Sequence, residues 1–252
     1  MRNINLIYKE VTANKVNILK KPIKIRIKKH IFRSDSLLYL VKKFKFLYKY
    51  KYMPYIIVLD FGKIEFADKV TYLILDALLY DLLKNTNFNI AINMEINNKK
   101  IHHSGFKGTA LYRAKQCNGI LDKKDFIKIY EKIIYTEKDI YRRIVTREQF
   151  NKDKLWPSRI CTDIASILKS YNIEEEWCDG VSEVISELIC NVSSHTDGDC
   201  LIDMDICDKI MLKGKNENKE HLCVNISIIN LSSNRLYDLI KKNFERKKIQ
   251  SR

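Results

Sequence analysis

Ile23, Ile25 and Ile27 alternate with Lys24, Arg26 and Lys28, a period of two that predicts a half-buried strand over 23–31. A helix is expected from about Ser36. Tyr55–Asp60 is a short apolar run closing on an acid, and Asp68 stands where it would cap a long apolar-periodic helix running to Leu83. Asn87–Ile96 reads as the next strand, so Met53–Ile96 has the order of a βαβ unit with a parallel pair and both sheet faces covered. The middle, 97–151, is expected to hold a polar loop with Gly105 and Gly108, a helix near Lys123–Ile134 and a strand-rich Ile140–Thr146. Beyond it the pattern predicts helices at Pro157–Tyr171 and about Glu174–His195, and strands at Leu201–Ile206 and Leu222–Leu231. A long polar loop, Cys207–Glu220, joins those strands, and a last helix begins near Asn234. The expected architecture is α/β in a first domain, 1–146, and α+β in a second, 147–252.

One helix carries chemistry. Glu187, Asn191 and His195 stand at i, i+4 and i+8 on the predicted 174–195 helix, a gently drifting row on one face. Val181, Val184, Ile185, Leu188, Ile189 and Val192 define its buried stripe, with Glu187 at the edge and His195 inside it. Acid, amide and imidazole at such a border would line a pocket or hydrogen-bond within the core. An amphipathic helix with a polar edge reads the same way.

With 46% hydrophobic residues and 10% aromatics, the chain has material for one large core or two modest ones. Lys, Asp or Asn interrupts every apolar run before it reaches the ~20 residues of a membrane span. The first 21 residues lack the continuous apolar stretch and cleavage site of a signal peptide, so a cytoplasmic location is expected. Seven cysteines without a CxxC pair are then reduced thiols, and the adjacent His102 and His103 make a surface dipeptide rather than a zinc site. A net charge of +15 raises nucleic-acid binding, but the basic stretches 20–29, 42–51 and 241–248 are scattered, which ranks that reading last.

Ser186–His195, an E-x-x-x-N row with a histidine four residues on, resembles the N-box of the histidine-kinase-like (GHKL) ATPase superfamily, and Asp197-Gly198 followed by a strand fits that order. The resemblance implies an ATP site with Mg²⁺ reached through Asn191, Glu187 as catalytic base, and His195 and Asn230 against the nucleotide. Mg²⁺ accepts hard oxygen ligands and keeps several waters, which one amide oxygen plus phosphates would satisfy. Two departures accompany it: Asn230 stands where the family places an aspartate followed by glycines, and no glycine follows Gly214 to form a phosphate lid. Either the C-terminus is incomplete or the nucleotide fold is degenerate. Ile57–Phe61 with Ile64, Phe66 and Asp68 resembles a STAS domain, a class that partners anti-sigma kinases in bacteria. Lys69 stands in the place of that family's regulatory serine.

The expectation is a cytosolic regulatory protein whose STAS-like and GHKL-like parts act through nucleotide-dependent contacts with a protein partner, a second copy of the chain among the candidates. Weak ATPase or protein-kinase activity of the GHKL type would follow if Glu187 works on a bound nucleotide. The alternative is a nucleotide-free interaction scaffold, and the third reading is a basic nucleic-acid-binding protein.

Overall fold

A computed structural model of the chain describes residues 5–6, 22–96, 106, 109, 111–112, 135–137, 140–213 and 218–232. The protein is a mixed α/β chain of two compact units, Met1–Tyr135 and Thr136–Arg252. The division falls before the junction expected at 146/147, because the strand at Ile140–Val145 pairs with Cys200–Asp205 of the second unit.

In the first unit β2 (Ile23–Arg26), β4 (Ile56–Phe66) and β5 (Asn89–Ile96) form a parallel sheet, with β1 (Asn5–Leu6) antiparallel on the far edge of β5. The strand expected over 23–31 is broken: β2 stops at Arg26, and a two-residue β3 (Ile31–Phe32) resumes pairing further along β4. The break sits level with a bulge between Asp60 and Gly62, where Gly62 takes a φ of +60° that side chains resist. α1 (Ser34–Leu47) buries Leu37, Leu40, Phe44 and Leu47. α2 (Lys69–Asn85) connects β4 to β5, and its start is set as the sequence implies: the Asp68 carboxylate accepts the Thr71 N–H at 2.8 Å. Covering both faces of the sheet was expected and does not hold throughout. Lys24, Arg26 and Glu95 are exposed on the face that carries Asp60, where side chains alternate away from buried Ile25, Leu59 and Ile92.

The second unit is a four-stranded sheet in the order β6 (Tyr135–Glu137), β7 (Ile140–Val145), β8 (Cys200–Lys213), β9 (Asn218–Asn230), with β7–β8 and β8–β9 antiparallel. A short α3 (Arg147–Lys152), absent from the expected elements, opens on a reciprocal cap in which Thr146 and Gln149 satisfy each other's backbone N–H groups. α4 (Trp156–Lys169) and α5 (Glu175–His195) pack on one face of this sheet, joined by a turn in which Asn172 takes a φ of 56°. Their core is Ile160, Ile164, Leu168, Cys178, Ile185 and Ile189 against Tyr141, Val145, Ile202, Met204 and Ile206.

The polar loop expected over 207–220 is largely strand. β8 runs on to Lys213 and pairs with β9 from Asn218, past a register shift between Cys207 and Ile210. Backbone pairing carries the ladder on as a two-stranded ribbon beyond the end of β7, with Ile210, Met211 and Leu212 opposite the polar His221, Glu220 and Lys219. Both faces of β7, and of β8 over Cys200–Ile206, are out of solvent, and the face away from α5 seals in a charge pair. Arg142, 1% exposed, donates to the Asp203 carboxylate from Nε at 2.6 Å, and its Nη2 forms an ion pair with the same oxygen. The helix near 123–134, the glycines at 105 and 108, His102, His103 and the helix from 234 lie outside the described residues.

A candidate binding groove between α5 and β9

α5 divides its apolar residues between two jobs. Ile185 and Ile189 are buried against the sheet, whereas Trp177, Val184 and Leu188, about a quarter-turn away, are 48%, 58% and 47% exposed. The single buried stripe expected from the sequence is therefore corrected to two adjoining stripes. The outer stripe forms one wall of a groove of about 1030 Å³, with Ile226 and Ile228 of β9 opposite.

The groove has two chemically different ends. Asn191, Thr196 and Asn230 stand at the C-terminal end of α5, and Glu174 and Glu176 at its N-terminal end. No lysine or arginine is among the described residues that line it. The sequence-derived residues part company here. Asn191 and Asn230 face the groove, while Glu187 and His195 are exposed and do not line it. At about 100° per residue Glu187 is carried roughly a quarter-turn away from Leu188. His195, expected inside the buried stripe, lies in the final turn of α5, where the helix runs past the sheet core into the Asp197-Gly198 turn. The Oδ1 of Asn230 accepts the Ser232 N–H at 2.9 Å, leaving its amide N–H groups and one lone pair for a ligand.

The amide end is built rigidly. Arg147 donates through Nη1 to the Ser193 carbonyl, a cation placed on the negative end of the α5 dipole, and its backbone N–H donates to Asp199 at 2.9 Å. The end of β9 is clasped to the same turn: the Leu231 N–H donates to the Asp199 carbonyl at 2.9 Å, and Ser232 Oγ to Asp197. Gly198 lies so close that a Cβ there would come within 2.4 Å of the Ser232 nitrogen. Neither the Gln149 cap nor this clasp was anticipated; the T-x-x-Q spacing signals the first, and the second joins residues 34 apart that no local pattern links.

The chain matches no protein-family profile, no curated protein and no solved structure. Function therefore has to be argued from the geometry. Among the described residues no three His, Cys, Asp or Glu side chains gather as a metal site. Cys161, Cys178, Cys190, Cys200 and Cys223 are free thiols, and burial pushes Cys200 up to about 12 and raises Cys161, which keeps both protonated and inert. No helix among the described residues is long and apolar enough to cross a membrane.

A second opening, about 600 Å³, lies in the first unit beside the β4 bulge and is lined by Arg26, Lys28, Lys29, His30 and Lys63. Its cations are largely matched: Lys24 (3.0 Å) and Arg26 (3.9 Å) face Asp60, Lys63 faces Glu95, and Lys29 bonds Asp35. Burial alone would raise the Asp60 carboxyl, but hydrogen bonds from Lys24 and Asn93, with the Lys24 and Arg26 charges, hold it below the usual range. Matched charges attract a polyanion weakly.

Proposed function

We propose that the chain is a regulatory binding protein that works through protein contacts, with a STAS-like first unit and a GHKL-like second unit that takes an adenine nucleotide in the α5/β9 groove. The observation that carries the reading is the meeting of Asn191 and Asn230 in one apolar groove, because these are two residues to which the N-box resemblance gives ligand roles. Apolar walls suit the faces of a purine, and two amides can hydrogen-bond its edge or a phosphate. At the amide end of this wall, Asn191 is the residue to which the resemblance gives Mg²⁺ at the phosphates. The residues fit the nucleoside better than the metal-triphosphate, since the charged side chains of the groove are carboxylates. With Glu187 outside the groove, the unit binds without turnover.

The apolar lining and its two acids favour a second reading, a nucleotide-free interaction module. Calorimetric titration with Mg-ATP, ATP without metal and adenosine separates the two. Nucleotide binding is expected to be weak. Asn230→Ala should reduce it roughly two- to tenfold, the worth of one neutral hydrogen bond. Asn191→Ala should weaken Mg-ATP more than metal-free ATP, and Glu187→Ala should leave binding unchanged. Identical null titrations for wild type and variants would establish the nucleotide-free module, and hydrolysis lost in Glu187→Ala would overturn the binding-only reading.

A further inference from the structure

From Ser36 to Leu59 the chain contains no aspartate or glutamate, and it sets Lys42, Lys43, Lys45, Lys49 and Lys51 in that stretch. Three of these lysines stand on α1, and two in the 3₁₀ turn Tyr48–Tyr50 and the bend after it. The cations around the β4 bulge face carboxylates, but among the described residues none of these five has a carboxylate partner. Leu37, Leu40, Phe44 and Leu47 commit the other side of α1 to the core of the first unit. Its solvent face therefore mixes the lysines with Leu38, Val41 and Phe46, of which Leu38 and Phe46 are more than half exposed. Tyr50, Tyr52 and Met53, also exposed, carry the same mixture past the end of the helix. Apolar area gathered on one basic surface marks a contact site.

The rings and cations of this surface are already paired. Nζ of Lys43 lies 5.5 Å from the Tyr39 ring centroid, that of Lys49 5.8 Å from Phe46, and that of Lys51 5.0 Å from Tyr52. Each of these lysines keeps its hydrocarbon stem beside an apolar ring, as side chains do that snorkel at a lipid interface. The turn beyond α1 is held in place: the Asn87 N–H donates to the Lys51 carbonyl at 2.7 Å, its Nδ2 to the Tyr52 carbonyl at 2.9 Å, and Tyr48 donates to Asp81. At 14 residues α1 is about 21 Å long and carries charge along its length, so it suits lying on a bilayer and not crossing one. Nucleic acid fits less well. Bases stack on open ring faces, whereas Tyr39, Phe46 and Tyr52 each have a face taken by a lysine, and Leu38 and Val41 offer no stacking surface.

We propose that the solvent face of α1, with the turn over Tyr48–Met53, is a docking surface for an anionic lipid bilayer. The lysines meet the negative headgroups, and Leu38, Val41 and Phe46 enter the boundary between headgroups and acyl chains. Each lysine brought to an anionic surface strengthens partitioning about fivefold. The surface belongs to the first unit, and its role does not depend on what fills the α5/β9 groove.

Flotation of the full chain with vesicles of phosphatidylcholine alone, or of phosphatidylcholine mixed with phosphatidylglycerol, tests the proposal. Partitioning should be confined to the mixed vesicles and should weaken as salt is raised. A chain of net charge +15 is drawn to any anionic surface, so the variants are compared at matched charge. Lys42→Gln/Lys45→Gln/Lys49→Gln should lower partitioning about 100-fold. Lys152→Gln/Lys154→Gln/Lys169→Gln, with the same net charge, should lower it far less, and Lys42→Arg/Lys45→Arg/Lys49→Arg should keep it. Leu38→Ser/Phe46→Ser leaves the charge unchanged and should weaken partitioning by about tenfold or more. A tryptophan introduced as Phe46→Trp should shift to the blue on the mixed vesicles and be quenched by brominated lipid. Three results overturn the proposal. Equal losses in the two glutamine variants would leave overall charge as the cause, and partitioning indifferent to Leu38→Ser/Phe46→Ser would remove the lipid contact. Mixed vesicles left unbound, with a single-stranded oligonucleotide bound through the same lysines, would make the surface a nucleic-acid interface.

Discussion

α2 and α5 are the long helices of the two units, 17 and 21 residues, and they treat their surfaces differently. α2 hides Tyr72, Leu73, Leu75, Ala77, Leu79, Tyr80, Leu82 and Leu83 at 1% exposure or less, over more than half of its circumference. α5 fully buries three residues, Cys178, Ile185 and Ile189, and leaves an apolar stripe outside. A helix whose apolar residues are nearly all sunk in its core is scaffold, because that area is already committed to packing. A helix that keeps apolar area beyond what its own sheet covers is a binding element. The units also differ in their charges: Asp60 lies under the long side chains of Lys24 and Arg26, whereas Arg142 and Asp203 are sealed at 1% and 0%.

The contrast in charge should give the largest effect. Asp203→Ala removes the carboxylate to which Arg142 Nε donates in a sealed site and should cost the second unit about 3–5 kcal/mol, measured by urea unfolding. Replacing both partners with apolar residues should recover most of that loss. The contrast between helices comes next. Leu79→Ala in α2 and Ile189→Ala in α5 should each cost about 2–5 kcal/mol, since both are fully buried. Leu188→Ala on the outer stripe sharpens the comparison: a loss within about 0.5 kcal/mol marks an uncovered surface, and a larger one a covered wall. Asp68→Ala removes the cap of α2 and should cost about 1 kcal/mol, read as a shift in the denaturant midpoint.

Acid should then separate Asp60 from its surroundings. Its folded-state carboxyl lies below the unfolded value of about 3.9, so its contribution is complete above that pH and is lost as pH falls through the folded value. The stability gap between wild type and Asp60→Asn should accordingly close with acidification below about pH 4. The smallest effect is expected at Glu175, exposed and paired with Lys169 at 2.7 Å, where Glu175→Gln should leave the midpoint unmoved at physiological salt.

Most elements were legible because their signals are local. The Asp68 cap, the parallel β4–β5 pair around α2, and the antiparallel β8–β9 pair all follow from spacing and end residues. What escaped depends on contacts distant in sequence. The alternation over 23–31 runs through the break after Arg26, because the bulge that opens the ladder belongs to β4. The 207–220 segment holds its apolar residues as the short run Ile210–Leu212 without alternation, so the ladder that orders it was not legible in the pattern. At the site, hydrophobicity placed Val184 and Leu188 with Ile185 and Ile189, since periodicity identifies an apolar arc without telling which part the sheet covers. Asn191 and Asn230, expected against a nucleotide, both stand in the groove, and Glu187 shows how far one helical position turns a side chain.

β9 has a further consequence for handling the protein. Among the described residues it has a strand neighbour on one side, and its 13 residues form the margin of the sheet. Lys219 and Glu220 put charge at its start, but Val224–Ile229 contains none. An uncharged, β-prone margin of six residues is the kind of template on which strands of separate molecules add to one another. The solubility limit of concentrated protein should therefore be set at Val224–Ile229, and that is the stretch to shield during purification and storage.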